Sequence, residues 1–327
     1  MKPKCWIGVD VSKRFFVAAR RCGADFLREK FAMNAEGFEA FRRWLPQGVE
    51  LCVVLEATGP YWRPLACWLE SLEEPIPYAV VNPRRVRRFA EASAERSKDD
   101  WIDAAVLVHF AETFKPPAQE SKSPVYRELR AIWRHHLTLT LLREQMKDQH
   151  EKMSADPQVP ASLADGLAGL IEEVESQRHQ LESACINRLQ QDPGTRQTYR
   201  LLLSIASVGP KTALTLMAEC GARLNLASAR QLTSFIGFDP VRFESGSSIA
   251  YPPHISKQGN WRLRRALYLA ALSAIRFNPQ IADFYNRRIQ AGTTKKAAVV
   301  AAARKLLHLV AGVVRTEVPF QKDFKRA

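Results

Sequence analysis

The chain has 327 residues, which is more than one typical domain needs and enough for two or three separate cores. Hydrophobic residues make up 46% of the chain and charged residues 25%, and this composition excludes a largely disordered protein. Lysine and arginine number 48 against 34 acidic residues, and the resulting net charge of +14 favours a polyanionic partner such as nucleic acid.

The cysteines and the N-terminal segment bear on location. None of the six cysteines forms a Cys-x-x-Cys pair, so the sequence indicates reduced thiols and no zinc site. Charged residues interrupt the apolar segment near the N-terminus, and no long uncharged apolar span is evident. We therefore expect a cytoplasmic protein with no membrane partner.

The first part of the chain reads as an alternation of short strands and helices. Apolar segments at 5–11, 14–20 and 25–31 predict a three-strand meander, and 49–55 and 77–81 predict two further buried strands. Helices are expected at about 35–45 and 61–72, from Pro83, and from Asp100 to Phe114. This order is typical of an α/β domain of RNase H-like (RuvC-like) fold. Two prolines after Lys115 end the domain, which we assign to residues 1–117.

The rest of the chain is predicted to be mainly helical. A linker and a coiled-coil helical hairpin are expected over 118–195, broken at Asp156, with Arg143 and His150 on the first helix seam. Such an arm serves either as a plain spacer or in self-assembly. Over 196–327 we expect an α-helical C-terminal domain interrupted by one irregular loop at 237–257.

Four carboxylates stand out in the first domain. Asp10 lies inside an apolar strand, where an unpaired charge is unfavourable, and Glu56 directly follows another strand. Asp100 and Asp103 are three residues apart on one predicted helix and share a face, which is why we prefer Asp100 to the adjacent Asp99.

Taken one at a time, these residues have simpler explanations, as a surface acid at a strand end or as acids at a helix start. Together they predict a divalent-metal site, because converging carboxylates repel one another unless a cation neutralises them. Oxygen ligands favour Mg²⁺, with Mn²⁺ as an alternative, and such ions assist phosphodiester chemistry.

Basic residues suggest where nucleic acid binds. Arginines cluster at 84–88 and at 262–265, and either cluster could instead be a solvated helix face. Lys211 lies in the Val208–Lys211 turn, which is similar to a helix-hairpin-helix element whose backbone N–H groups meet a phosphate. The candidate nucleic-acid-binding residues are Arg84, Arg85, Arg87, Arg88, Lys211, Lys257, Arg262, Arg264 and Arg265.

A series of short motifs runs in order over nearly the whole chain. They are GVDVSK (8–13), LEATGPYW (55–62), VNPRRVRRFAEA (81–92), KDDWIDA (98–104), SVGPKTA (207–213), IGFDP (236–240), ESG (244–246), HISKQGNWRLRRALYLAAL (254–272) and NP (278–279). In this combination the chain resembles the one-ten family of insertion-sequence transposases, the bridge-RNA-guided recombinases.

The resemblance implies an N-terminal RuvC-like domain with an Asp-Glu-Asp-Asp set, a coiled-coil arm and a C-terminal transposase domain with a catalytic serine. The acidic set falls on the four carboxylates already chosen, and the serine falls on Ser245. Glu244 stands where relatives often have another polar residue, so Ser247 and Ser248 stay open as alternatives. The implied partners are donor and target DNA, a structured guide RNA and further copies of the chain, as a dimer or tetramer.

We therefore expect a recombinase in which Ser245 forms a phosphoserine link to DNA with Mg²⁺ assistance, in an active site that could be completed between protomers. Two other functions remain open. A metal-dependent, junction-resolving endonuclease would use water as its nucleophile and form no covalent adduct. A non-catalytic nucleic-acid-binding protein would bind without turnover.

Overall fold

The structure is a computed structural model that describes residues 4–57, 59–93, 99–119, 123–245 and 249–321, with the backbone alone at 242–245 and 249–253. The chain divides into two units near residue 121. The first unit contains the predicted α/β domain. The second contains the predicted helical hairpin together with all the elements that follow it.

Five strands form one mixed sheet in the first unit. The strands are β1 (Lys4–Val11), β2 (Phe15–Cys22), β3 (Asp25–Ala32), β4 (Glu50–Glu56) and β5 (Tyr78–Val81). Their order in the sheet is β3-β2-β1-β4-β5, with β1–β2 and β2–β3 antiparallel and β1–β4 and β4–β5 parallel. The predicted meander and the two later strands are therefore present, each within about two residues of its expected bounds.

Four helices cover the two faces of this sheet. They are α1 (Ala35–Trp44), α2 (Trp62–Ser71), α3 (Pro83–Ala92) and α4 (Asp100–Phe114). One face packs Ile7, Val9 and Phe16 against α1 and α2. The other packs Trp6 and Val17 against α3 and α4. Because side chains alternate along a strand, odd and even positions of β1 belong to different cores.

Two long helices begin the second unit, α5 (Pro124–Ala155) and α6 (Ala161–Gln190). They pack antiparallel, because Arg188 near the end of α6 donates to Glu128 near the start of α5 at 2.6 Å. Arg143 of α5, predicted to lie on the seam, forms an ion pair with Glu175 of α6. The predicted helical hairpin is thus present, with charged pairs along its length.

The base of the hairpin shares its core with the C-terminal helices. Leu129, Trp133 and Leu189 belong to the same buried cluster as residues of the later helices. Those helices are α7 (Pro193–Ser204), α8 (Pro210–Cys220), α9 (Arg223–Leu226), α10 (Ala229–Ile236), α11 (Trp261–Phe277), α12 (Pro279–Gln290) and α13 (Lys295–Thr316). The sequence predicted most of them and missed the short α9 and the whole of α12.

The segment predicted as an irregular loop at 237–257 contains a β-hairpin. Strands β6 (Pro240–Ser245) and β7 (Ile249–Ile255) pair antiparallel, with an irregularity between Val241 and Phe243. Prolines are tolerated in such a pair because each strand leaves one edge unpaired. The prediction of a loop was wrong for this reason: proline and glycine content indicates a break in a large sheet, but it does not exclude an isolated two-stranded ribbon.

Helix α13 is long and apolar enough to cross a membrane by length and composition. Half of its apolar stretch is buried within the unit, where Ala302, Leu306 and Val310 are completely enclosed. In the part of the chain that the structure describes, no other helix passes this test. Its buried residues show that this stretch belongs to the core of the second unit.

A buried carboxylate joins three elements of the second unit. The side chain of Glu219 on α8 is 1% exposed and accepts hydrogen bonds from Arg134 of α5 at 2.7 and 2.8 Å. It also accepts one from the amide of Asn260, the N-cap of α11, at 2.6 Å. Burial alone would raise the pKa of Glu219, but these hydrogen bonds and the arginine charge outweigh burial and hold the pKa below its ordinary value.

The Glu219→Gln variant should lose roughly 2–4 kcal/mol of unfolding free energy at neutral pH, because the partly buried guanidinium of Arg134 loses its counter-charge. Because the folded pKa is lowered, the difference from the native chain should shrink as the pH falls through that pKa. Urea unfolding followed by circular dichroism measures both effects. Glu128→Gln, which removes an exposed pair, is the control and should cost less than about 1 kcal/mol. Equal losses from the two variants would contradict the assignment.

Candidate active site around Asp10

Asp10 lies near the end of the central strand β1, paired with Val17 of β2. Its side chain is half-buried and belongs, with Trp6 and Gly8, to the even positions that face α3 and α4. The flanking odd residues Val9 and Val11 are buried on the opposite face. The alternation of the strand therefore fixes the side on which this carboxylate emerges.

Glu56 is the last residue of β4, which runs parallel to β1. Val9 is paired with Leu55 in the parallel ladder, so Asp10 and Glu56 occupy the next level on neighbouring strands. Cys52 and Val54 of β4 belong to the core on the α4 side, and the alternation places Glu56 on that side as well. The carboxyl ends of two parallel strands thus present two acids on one face.

Gly8 brings helix α4 against this part of the sheet. A Cβ atom at Gly8 would lie 2.2 Å from the carbonyl oxygen of Ala104 and 2.7 Å from the backbone nitrogen of Val108. Only a residue without a side chain allows the helix backbone to approach so closely. The sequence analysis missed this positioning residue, although a glycine within an apolar strand is the signal for such an approach.

The first turn of α4 carries the other two acids. Asp99 is the N-cap, and its carboxylate accepts a hydrogen bond from the backbone N–H of Trp101 at 3.4 Å. Asp100 and Asp103 follow within the helix and are half-buried. Asp99 therefore has a local capping role, which distinguishes it from Asp100, the residue preferred from the sequence.

The negative charges of the three other predicted acids act on Asp10. Burial raises the pKa of Asp10, and the negative charges of Asp100, Asp103 and Glu56 raise it further, to about 6. A hydrogen bond from the backbone of Val11 opposes this shift. Each of the three other predicted acids thus lies within electrostatic reach of Asp10, on the face where α4 crosses β1.

The carboxylates of the described residues do not form a complete metal-coordination site. Among the residues described, no three His, Cys, Asp or Glu side chains lie together closely enough to hold a metal ion. The divalent-metal site that the sequence predicts therefore stays a prediction. The chemistry of the donor set still fits a hard divalent cation, since all its atoms are carboxylate oxygens on one accessible face.

Ser245 belongs to the other unit, where it is the last residue of β6, opposite Ile249. Only its backbone is described, and its side chain lies outside the described part of the structure. The alternatives Ser247 and Ser248 lie outside the described residues altogether. Nothing in the structure therefore selects among the three serines, but the hairpin gives Ser245 a defined backbone position.

The base of this hairpin is tightly built. A Cβ atom at Gly259 would lie 2.5 Å from the carbonyl oxygen of Phe235, so this loop packs directly on the end of α10. Ser256 donates its hydroxyl to Asp239 at 2.8 Å and its backbone N–H to the carbonyl of the same residue at 2.9 Å. These contacts anchor both strands of the hairpin that carries Ser245.

The predicted nucleic-acid-binding residues of α3 differ in their surroundings. Arg84 and Arg88 are exposed on the helix. Arg85 lies over the rings of two α4 phenylalanines, 5.6 and 5.7 Å from their centroids. Arg87 forms an exposed ion pair with Glu91 at 3.2 Å. The cluster therefore contributes fewer uncommitted cations than its composition suggests.

The predicted cations of the second unit also differ. Arg264 donates to the carbonyl of Ile236 at 2.7 Å, and burial lowers its pKa, so it stabilises the end of α10. Arg262 packs over the ring of Trp261. The exposed residues of the set are Lys211, Lys257 and Arg265.

Lys211 lies at the exposed start of α8, in the turn that was likened to a helix-hairpin-helix element. The left-handed residue of that turn is Ser207, with a φ of 79°, whereas Gly209 has a φ of −82°. A glycine turn was the expected feature, and the structure places the unusual backbone conformation two residues earlier.

Removing the charge at Asp10 should stabilise the first unit in a metal-chelating buffer. At neutral pH the Asp10→Asn variant should gain roughly 1–3 kcal/mol of unfolding free energy, since it relieves burial of a charge beside three others. Because the folded pKa is raised from 3.8 to about 6, native stability falls as the pH rises through this range, and the gain disappears below it. Urea titrations at several pH values measure this, with the exposed Asp25→Asn as control. A loss of stability at neutral pH would contradict the expectation.

A side chain at Gly8 should push α4 away from the sheet. We expect Gly8→Ala to cost about 2 kcal/mol or more, because backbone atoms cannot give way to the added methyl group. Thermal unfolding of the purified chain measures the loss. Gly166→Ala, at a helical position with no atom within 4 Å of the added Cβ, is the control and should be neutral or stabilising. Similar behaviour of the two variants would rule out the close approach.

Comparisons with known proteins agree with both units. Residues 7–153 match a family profile described as "Transposase", of the DEDD IS110 type, and residues 199–286 match the "Transposase IS116/IS110/IS902 family". The chain is 28% identical to the pilin gene-inverting proteins of Moraxella bovis and of Moraxella lacunata, over 98% of each chain. It is 29% identical to an uncharacterized 43.6 kDa protein of insertion element IS110 from Streptomyces coelicolor, over 47% of this chain and 36% of that protein. With two profile matches that together cover most of the chain, the first running from the first unit into α5, and full-length relatives that rearrange DNA by name, this chain is a DNA transposase of the IS110 family.

Proposed function

We propose that the protein is an RNA-guided, site-specific DNA recombinase that cuts and rejoins DNA through a covalent phosphoserine link. The observation that carries the proposal is the set of carboxylate charges around Asp10. The resemblance to gene-inverting proteins supports a reaction in which both strand ends are kept and rejoined, so inversion is one reaction we propose for it. A simple nuclease would not rejoin them.

The acidic face would hold the metal. The match to a DEDD transposase domain indicates dependence on a divalent metal, and we propose Mg²⁺, held by Asp10, Glu56, Asp100 and Asp103. When bound, the cation supplies charge neutralisation and Lewis-acid polarisation of a phosphate. The half-buried carboxylates remain accessible to a substrate, and their shared negative charge disfavours phosphate unless that charge is neutralised.

Ser245 would supply the nucleophile. Its hydroxyl oxygen forms a bond to the phosphorus of a DNA phosphodiester, the bond from phosphorus to one sugar oxygen breaks, and the serine proton is transferred so that this oxygen leaves as a hydroxyl. A sugar hydroxyl of a second strand then attacks the phosphoserine and releases the serine. The number of phosphoester bonds is unchanged at each step, so the exchange needs no ATP.

The architecture supports the remaining family assignments. The observed order β3-β2-β1-β4-β5, with an antiparallel meander followed by parallel strands, agrees with the proposed RNase H-like (RuvC-like) fold. The hairpin of α5 and α6 has the length expected of a coiled-coil arm, at 32 and 30 residues. We propose that this arm joins copies of the chain into a dimer or tetramer.

Guide RNA and DNA would be held by the exposed basic residues. Of the predicted cations, Arg84, Arg88, Lys211, Lys257 and Arg265 are exposed and take no part in the ion pair and ring contacts described above, and they suit contacts to phosphate backbones. Base pairing between a guide and the DNA would then provide the sequence specificity. Cytoplasmic location is consistent with such partners.

The covalent link gives the most direct test. The protein is incubated with its co-purified RNA, labelled DNA carrying the matching site, and Mg²⁺, and the protein–DNA adduct is measured on a denaturing gel. We expect the native chain to form an adduct, Ser245→Ala to form none, and Asp10→Ala to lose at least a hundredfold in rate. Ser234→Ala, at an exposed helical serine of the same unit, is the control.

The outcomes separate the candidate functions. DNA cleavage without an adduct would favour a metal-dependent, junction-resolving endonuclease that uses water. Adduct formation by Ser245→Ala at the normal rate would overturn the nucleophile assignment and direct attention to Ser247 and Ser248. Digestion of the RNA before the assay should abolish adduct formation at the matching site, and unchanged activity would exclude RNA guidance. If mixing Ser245→Ala with Asp10→Ala restores activity, the site is completed between protomers.

A further inference from the structure

A cavity of about 880 Å³ lies within the second unit, and none of the residues assigned above lines it. It is bounded by the base of the β6–β7 hairpin, by the end of α12 and by one side of α13. Its size is within the range of about 300–1,000 Å³ that is typical of ligand pockets. We call it the basic cavity, and its defining residues are Phe238, Phe284, Arg288, Lys296, Arg304 and Lys305.

Two phenylalanines line the basic cavity, and Phe284 is the one whose ring is accessible. Phe238 is 3% exposed and is held by the core of the second unit. Phe284 on α12 is half-buried, and the guanidinium of Arg288 lies 5.7 Å from its ring centroid. An aromatic ring beside a cation is the arrangement on which an unstacked base and its phosphate are commonly held.

Four cations line the same cavity, and no acid does. Among the described residues, none of the four forms an ion pair with a carboxylate, whereas Arg134, Arg143 and Arg188 of this unit do. The pKa of His308, which lines the same cavity, is affected by these charges. Burial lowers its pKa, and the positive charges of Arg304 and Lys305 lower it further. The cavity is therefore positively charged, and no carboxylate in the part of the chain that the structure describes is paired with its cations.

We propose that the basic cavity binds an unstacked nucleotide of a single-stranded nucleic acid. Its phosphates lie on the four cations, and its base packs against the ring of Phe284. A duplex backbone would use the cations but not the recessed rings, and an apolar partner would leave four charges without counterions. The shared chemistry allows either a DNA strand or an RNA strand, and the experiment distinguishes them.

The place of the cavity in the fold gives it a use. Pro240 lines the cavity and begins β6, and Ser245 ends the same strand five residues later. Five residues of extended strand span about 17 Å, which is the length of about five stacked nucleotides. A strand held in the cavity would thus be gripped a few nucleotides from Ser245. The binding itself goes beyond the proposed chemistry and does not depend on Ser245 being the nucleophile.

Binding is measured with the full chain by fluorescence anisotropy. The probes are a labelled thymidine oligonucleotide, a uridine oligonucleotide of equal length, and a blunt DNA duplex. Salt titrations give the slope of log affinity against log salt concentration. The double variant Arg304→Gln with Lys305→Gln should reduce the single-strand slope by about 1.4, the equivalent of two phosphate contacts. Glutamine removes the charge and has a helix propensity close to those of arginine and lysine.

Matched pairs of variants test the two halves of the cavity. Arg288→Gln should weaken single-strand binding several-fold, while Arg287→Gln, its exposed neighbour outside the cavity, should not. Phe284→Leu should weaken single-strand binding roughly fivefold or more and leave duplex binding unchanged. Phe277→Leu, at a phenylalanine that is 68% exposed and outside this cavity, is its control.

Each outcome decides the proposal. A larger effect on the thymidine probe identifies DNA as the occupant, and a larger effect on the uridine probe identifies RNA. Equal effects of the cavity variants and their controls would overturn the site. Equal loss of duplex and single-strand binding by Phe284→Leu would overturn the unstacked base. Because adduct formation is measured separately with Ser245→Ala, failure of the proposed chemistry and failure of this site give different results.

Discussion

The charge of Asp10, half-buried beside three other acids, is the constraint on which the first unit depends. Such a group opposes folding, and its raised pKa expresses that opposition. It is kept in place by the apolar packing of β1 on both faces and by the close contact of α4 at Gly8. The sheet thus stabilises a concentration of negative charge that would disperse on a flexible loop, which is typical of a site arranged for function.

Much of this site could be predicted from the sequence, because its determinants are local. A short apolar segment predicted β1, and a continuous apolar run predicted β4, so the strand positions of Asp10 and Glu56 followed directly. The three-residue spacing of Asp100 and Asp103 predicted a shared helical face. The structure gives the adjacent Asp99 a different role, as the N-cap of α4. What local pattern could not predict was the close approach of α4 to β1 at Gly8, since it depends on contacts with Ala104 and Val108, which are far away in sequence.

The second unit was harder to predict because its key contacts are long-range. Glu219 lies in an apolar stretch of α8, and its buried state depends on Arg134, which is 85 residues away, and on Asn260. The β6–β7 hairpin depends on packing at Gly259 and on the Asp239–Ser256 contacts, not on a strong strand pattern of its own. Sequence periodicity therefore identified the long helices and missed the ribbon that carries Ser245.

The basic residues show why composition alone is a weak guide to a nucleic-acid interface. Runs of arginine in the sequence were taken as binding surfaces, yet Arg264 stabilises a helix end, Arg85 covers aromatic rings and Arg87 is paired with Glu91. Conversely, Arg288 and Arg304 are separated in sequence and drew no attention, but α12 and α13 place them in one cavity. Availability of a cation to a phosphate is set by the carboxylates, carbonyls and rings that surround it in the fold. Because these surroundings differ between the two units, one basic chain can have an acidic face around Asp10 in the first unit and a positively charged cavity in the second. The first suits a cation and the second suits a phosphate.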